Sequence, residues 1–113
     1  MKSKNFLTPL EKQVVDKFLV QLKHLTGGNF CRAVLFGSRA RGESHPESDV
    51  DILVLLKAVH LESKHQIWDL ANDLFLETEI DISPIVMSLE SFEKIRNLER
   101  LFAKEIEQEG IPL

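Results

Sequence analysis

Three aspartates and a glycine–serine pair carry the chemistry that this sequence suggests. Gly37 and Ser38 follow an apolar run, ten residues intervene, and Asp49 and Asp51 then open the run VDILVLL; Asp81 stands between Ile80 and Ile82 in a later apolar stretch. A carboxylate entering a core carries a heavy desolvation cost, so something must compensate these charges. On an extended strand Asp49 and Asp51 point the same way, while Val50, Ile52 and Val54 point the other way into a core. Two like charges side by side repel unless a cation stands between them. Oxygen-only donors favour a hard divalent ion, Mg2+ or Mn2+. If its strand neighbours theirs, Asp81 completes a three-carboxylate cluster, with Glu79 a weaker candidate on the same strand face.

Gly37 and Ser38 add a second function. A strand–Gly–Ser–helix turn offers backbone N–H groups and a hydroxyl to phosphate oxygens, and glycine lets a phosphate come close to the backbone. A phosphate cradle followed by metal-binding carboxylates suits phosphoryl or nucleotidyl transfer with two metal ions. Each part alone is commonplace: a Gly-Ser pair is usually a turn, and an Asp-x-Asp at a strand start is usually a solvated edge. The combination at this spacing carries the inference.

The elements that must position these groups alternate along the chain. Thr8, Pro9 and Glu11 form a capping box that opens a first helix. Its expected stripe is Leu10, Val14, Phe18, Leu22 and Leu25, and Gly27 and Gly28 end it. Phe30 to Phe36 reads as a strand. A polar, turn-rich stretch follows, with one helical turn near Ser38 to Arg41, and Val50 to Leu56 is the second strand. Ser63 is expected to begin the next helix, with Gln66 at its capping-box position and a stripe of Ile67, Leu70, Ala71, Leu74 and Phe75. The segment EIDISPIVMS reads as a third strand, in which Pro84 favours an edge or an irregular end. Helical spacing returns from Leu89 to Gln108 through Phe92, Ile95, Leu98, Phe102 and Ile106, with a break expected at Asn97. The order is α-β-α-β-α-β-α, an α/β fold in which helices cover a small sheet. Parallel and antiparallel pairing both remain open.

The segment GSRARGESHPESDVDILV resembles the signature of the minimal nucleotidyltransferases, within the polymerase-β-like nucleotidyltransferase superfamily: Gly-Ser, ten residues, Asp-x-Asp. The ARG after the Gly-Ser and the SD-x-D are similar too, and the resemblance covers Val14 to Ile111. It implies a small mixed sheet flanked by helices, in one minimal domain spanning residues 1–113. It also implies that Ser38 helps hold a triphosphate and that Asp49 and Asp51 bind both of two Mg2+ ions. Asp81 would touch the catalytic metal and help activate an acceptor hydroxyl. Relatives of this kind often pair with a small helical HEPN-type protein, as antitoxin to its RNase toxin. Some transfer AMP from ATP to a tyrosine of that toxin.

Composition bounds the rest. The chain has 113 residues, 43% hydrophobic and 28% charged, with a net charge of −4. That balance fits one globular domain and argues against broad nucleic-acid binding, which needs a basic face. No apolar stretch approaches the ~18 residues of a membrane span, and the N-terminus turns polar too soon for a signal peptide. The single cysteine, Cys31, lies in an apolar run, as expected of a reduced thiol packed in the core of a cytoplasmic protein. Arg39 and Arg41 could touch phosphate, with Arg41 the better candidate, or pair with nearby carboxylates. His45 is read as a solvated loop residue in preference to a substrate contact, His24, His60 and His65 as surface residues, Trp68, off the main stripe of its helix, as core margin in preference to an interface, and the KEIEQE run as a solvated helix face.

Two functions from different classes follow. One is a Mg2+-dependent nucleotidyltransferase moving AMP from ATP to a hydroxyl of a HEPN-type partner. The chain is too short for a second, acceptor-shaping domain, so the acceptor site is expected to come from a partner or another copy. The chain has no tyrosine, so a tyrosine acceptor belongs to another protein. The alternative is a non-catalytic antitoxin that neutralises a partner by covering its surface. A homo-oligomer is left open.

Overall fold

The first helix starts where its local chemistry caps it. In a computed structural model that describes residues 7–37, 49–98 and 111–113, α1 runs Pro9–Thr26. The Thr8 N–H donates to Glu11 Oε1 at 2.9 Å, and the Glu11 N–H donates back to Thr8 Oγ1 at 3.1 Å. The reciprocal box satisfies two donors that a bare helix start would leave unpaired. Gly27 ends the helix with φ 56°, in the left-handed region that favours glycine. A 3-10 turn, Gly27–Asn29, leads into β1, Phe30–Phe36.

The remaining elements are β2 (Val50–Leu56), α2 (Leu61–Thr78), β3 (Ile82–Ser88), α3 (Leu89–Leu98 as described) and a two-residue β4 (Ile111–Pro112). The sheet order is β3-β2-β1-β4. β1 runs antiparallel to β2 and to β4, while β2 and β3 are parallel. A parallel pair needs a long crossover, and α2 supplies it. Pro84 sits on β3, the edge strand, where a missing ladder donor is tolerated.

β2 is the inner strand that carries the acidic pair, and it is buried on both faces. Val50, Ile52, Val54 and Leu56 enter a large core with Val14, Val15, Phe18, Leu19 and Leu22 of α1 and Ile67, Ala71 and Leu74 of α2. Leu53 and Leu55 face the other way into a smaller core with Val34 and Phe92. α1 and α2 therefore cover one face, and α3 seals the other through Phe92. Each of these aliphatic or aromatic side chains contributes roughly 1.5–3 kcal/mol by leaving water. Cys31 packs against the smaller core but stays half-buried rather than fully enclosed.

Several local expectations shift. Leu10 and Leu25 are exposed, and Val15 and Leu19 take the buried positions beside Val14, Phe18 and Leu22; on α2 Phe75, expected in the buried stripe, is exposed as well. α2 begins at Leu61, with His60 at the N-cap making no side-chain capping bond, rather than at Ser63. Glu79 is not on β3: it caps α2 in the left-handed conformation, φ 64°, with its N–H donating to the Phe75 carbonyl at 2.7 Å. At the far end of β2, the Asn29 side chain clamps the turn, donating to the Ala58 carbonyl at 2.7 Å and accepting from the Ala58 N–H at 2.9 Å. Among the described residues, no helix is long and apolar enough to cross a membrane. The helical turn expected near Ser38 to Arg41, and the C-terminal positions Phe102 and Ile106, lie outside the described residues.

Candidate active site

The parallel register builds the site. Val50 pairs with Ile82 and Asp51 with Ser83, and the Val50 N–H donates to the Asp81 carbonyl at 2.8 Å. This brings Asp49 and Asp81, each one residue before its strand, alongside one another at the mouth of the sheet. Their carboxyl groups share a hydrogen bond. Partial burial, then the charge of Asp49, then that hydrogen bond raise the Asp81 carboxyl above its ordinary value. The residue as a whole stays solvent-exposed, so the crowding is local to its carboxyl.

Asp51, two residues along the chain from Asp49, lies against Gly37. Gly37 follows β1, whose last residue, Phe36, pairs with Asp51. Its backbone has φ 79°, and a Cβ there would stand 2.5 Å from Asp51 Oδ2. The glycine is thus required twice, by a left-handed backbone and by the carboxylate packed over it. Glycine's value for phosphate approach, expected from the sequence, is joined by this tighter constraint.

The three predicted aspartates and Gly37 therefore lie at the same end of three adjacent strands, Asp49 beside Asp81 and Asp51 against Gly37. Glu79, on its helix cap, is not part of β3. Among the described residues no three or more His, Cys, Asp or Glu side chains are already gathered to hold a metal ion. The donor chemistry nonetheless fits a hard divalent cation. Asp49 and Asp81 are held together at a cost that the raised proton affinity of Asp81 records, and a cation offsets that cost as a proton does. Ser38, Arg39, Arg41 and His45 lie outside the described residues.

Sequence reasoning missed one wall. A cleft of about 310 Å3 opens beside the pair, lined by Asp49, Asp81, Trp68, Ala71, Asn72, Ile82, Ser83 and Pro84. Trp68, expected at the core margin or at an interface, is 47% exposed, and its ring lies 5.9 Å from that of His65. The signal was its position off the buried stripe of α2. A larger depression of about 510 Å3, bordered by Lys57, Lys64, Ser88 and Ser91, lies at the opposite ends of β2 and β3, away from the carboxylates.

Comparison with known proteins bears on the family and the fold. Residues 15–112 match the family model described as a nucleotidyltransferase domain. A Methanocaldococcus jannaschii protein, MJ0141, provisionally named a protein adenylyltransferase, is 31% identical over 100 residues, covering 88% of this chain and 94% of its own. A solved structure provisionally described as a minimal nucleotidyltransferase superposes with a TM-score of 0.60 at 23% identity, covering 94% of this chain and 97% of the other. A chain from the complex of a tri-AMPylated Shewanella oneidensis HEPN toxin with an MNT antitoxin superposes at 0.50 with 19% identity, covering 89% and 70%. At these identities the two structures speak for the fold.

Proposed function

The chain belongs to the nucleotidyltransferase domain family, and from that membership we propose that it transfers AMP from ATP to a hydroxyl, a tyrosine of a HEPN-type toxin, and so acts as antitoxin. The observation that carries this reading is the placement of Asp49 beside Asp81, and of Asp51 against Gly37, at the same end of β1, β2 and β3. The name of the M. jannaschii relative and the AMPylated toxin of the S. oneidensis complex support the choice of a protein acceptor. Residues 1–113 act, in this proposal, as one minimal domain in the cytoplasm. The sequence contains no tyrosine, so a tyrosine acceptor belongs to the partner.

Asp49, Asp51 and Asp81 would hold divalent cations, Mg2+ or Mn2+. Bound there, such ions lower the pKa of the acceptor hydroxyl and neutralise charge on the phosphates. The chain's own groups do the rest. Gly37, with the Ser38 hydroxyl and the Arg41 guanidinium, holds the triphosphate. The acceptor oxygen attacks the α-phosphorus; the new P–O bond forms as the bridging bond to the β-phosphate breaks, and pyrophosphate leaves with that electron pair. The acceptor proton passes to the Asp81 carboxylate at the cleft mouth. Positioning and charge neutralisation account for most of the acceleration in such transfers.

ATP labelled at the α- or the γ-phosphate distinguishes nucleotidyl from phosphoryl transfer. With Mg2+ and a HEPN-type partner, α-label is expected on the partner and γ-label is not. Label from the γ-position, or none from either, contradicts the proposal. Exposed apolar side chains on α2, namely Leu61, Phe75 and Leu76, favour a second reading, neutralisation by surface contact alone. In that case the Asp49→Asn, Asp51→Asn protein neutralises the partner as well as the wild type.

A further inference from the structure

We propose that the cleft between α2 and β3 is the acceptor subsite, and that Trp68 is a specificity-determining residue whose indole packs against the aromatic ring of a partner's tyrosine. This rests on the nucleotidyl-transfer reading above and adds where the acceptor sits and what recognises it.

Direction comes first. At the mouth of the sheet, groups follow one another across adjacent strands: Gly37 after β1, Asp49 and Asp51 at β2, Asp81 at β3. In phosphoryl-type transfers the attacking and leaving oxygens lie roughly in line on opposite sides of the phosphorus. If pyrophosphate leaves toward Gly37, the acceptor arrives from the side of Asp81. That side is the cleft of Trp68, Asn72, Ser83 and Pro84.

Size and chemistry come second. At about 310 Å3 the cleft stands at the low end of ligand pockets, suited to one side chain rather than a whole nucleoside triphosphate. One wall is a half-exposed indole braced by His65. Aromatic rings stack on or edge against such a surface, leaving a phenol oxygen free to reach polar groups. The polar groups available are the Asp81 and Asp49 carboxylates, the Asn72 carboxamide and the Ser83 hydroxyl. An aliphatic alcohol would reach the carboxylates but leave the indole uncovered.

The surroundings come third. Leu61, Trp68 and Phe75 recur every seventh residue, two helical turns, so they share one face of α2. All three are substantially exposed, at 68%, 47% and 41%. An apolar stripe running past the cleft in both directions suits an acceptor embedded in a protein surface, and does nothing for a free small molecule. In the reaction the tyrosine O–H gives its proton to Asp81, its oxygen gains the α-phosphorus, and pyrophosphate departs.

Trp68 is the only tryptophan, so its fluorescence reads the cleft directly. Titration of the intact protein with N-acetyl-tyrosinamide, excited where tryptophan alone absorbs, is expected to give a saturable change in emission. N-acetyl-serinamide is expected to give none. In transfer assays with a HEPN-type partner, Trp68→Ala should raise the acceptor KM about tenfold while leaving ATP binding unchanged, and Trp68→Phe should restore most of the loss. Thermal melting confirms that the variants fold, as expected for a half-exposed side chain. Weakened ATP binding in Trp68→Ala with an unchanged acceptor KM overturns the proposal. So does an equal response to both amides. If the wild type transfers nothing, the nucleotidyl-transfer reading fails, and the fluorescence titration still decides whether the cleft takes a phenol.

Discussion

The carboxyl group of Asp81 is hydrogen-bonded to that of Asp49 across two parallel strands, and this contact raises the proton affinity of Asp81 together with burial and the Asp49 charge. One consequence is a stability that depends on pH. The folded-state pKa of Asp81 exceeds its unfolded value of 3.8, so the folded chain holds the proton more tightly. The resulting stabilisation is fully present below 3.8 and is lost as pH rises through the folded value. Without divalent ions, Asp81→Asn should therefore gain on the wild type in melting temperature as pH rises. Melts across that range check it; a gap that narrows upward contradicts it.

A divalent cation should reverse that cost. Mn2+ or Mg2+ at a hundred times its dissociation constant stabilises a folded protein by about 2.7 kcal/mol. A rise in melting temperature is expected for the wild type at neutral pH and not for Asp49→Asn, Asp51→Asn. Equal shifts in both would place the ion elsewhere.

Gly37 offers a test of geometry. Gly37→Ala places a methyl 2.5 Å from Asp51 Oδ2 on a backbone at φ 79°. The strain should cost about 1–3 kcal/mol, and the displaced carboxylate should abolish transfer. Gly27→Ala meets nothing within 4 Å, at φ 56°, so it should lose stability and keep activity. Denaturant melts and transfer rates on both variants separate the two effects.

Phe92 holds α3 against the face of β2 that carries Asp51. It is 1% exposed and packs with Val34, Leu53 and Leu55. Phe92→Ala should cost about 3–5 kcal/mol, a large share of the ~5–15 kcal/mol that keeps a domain folded. Chemical denaturation checks this.

Local chemistry made much of the fold legible. The Thr8–Glu11 box marked the start of α1 because capping depends on neighbours three residues apart. Alternation sent Val50, Ile52 and Val54 to one face, and it anticipated Asp81 beside Asp49 on condition that their strands adjoin. Strand direction was not legible, since the parallel pairing of β2 and β3 is settled by how α2 packs. Glu79 misled because a strand-like pattern extended back over a left-handed helix cap. The two-residue β4 has no periodicity to detect. Trp68 stood out as lying off the stripe of α2, but the cleft beside it was not legible, because a helical stripe shows which side is buried, not what the other side borders.

The most direct test is intact-mass spectrometry of a HEPN-type partner after incubation with ATP and Mg2+. The wild type should add the mass of AMP to the partner, and the Asp49→Asn, Asp51→Asn protein should add none. An unmodified partner with the wild type, or the same adduct from the double variant, would contradict nucleotidyl transfer at these aspartates.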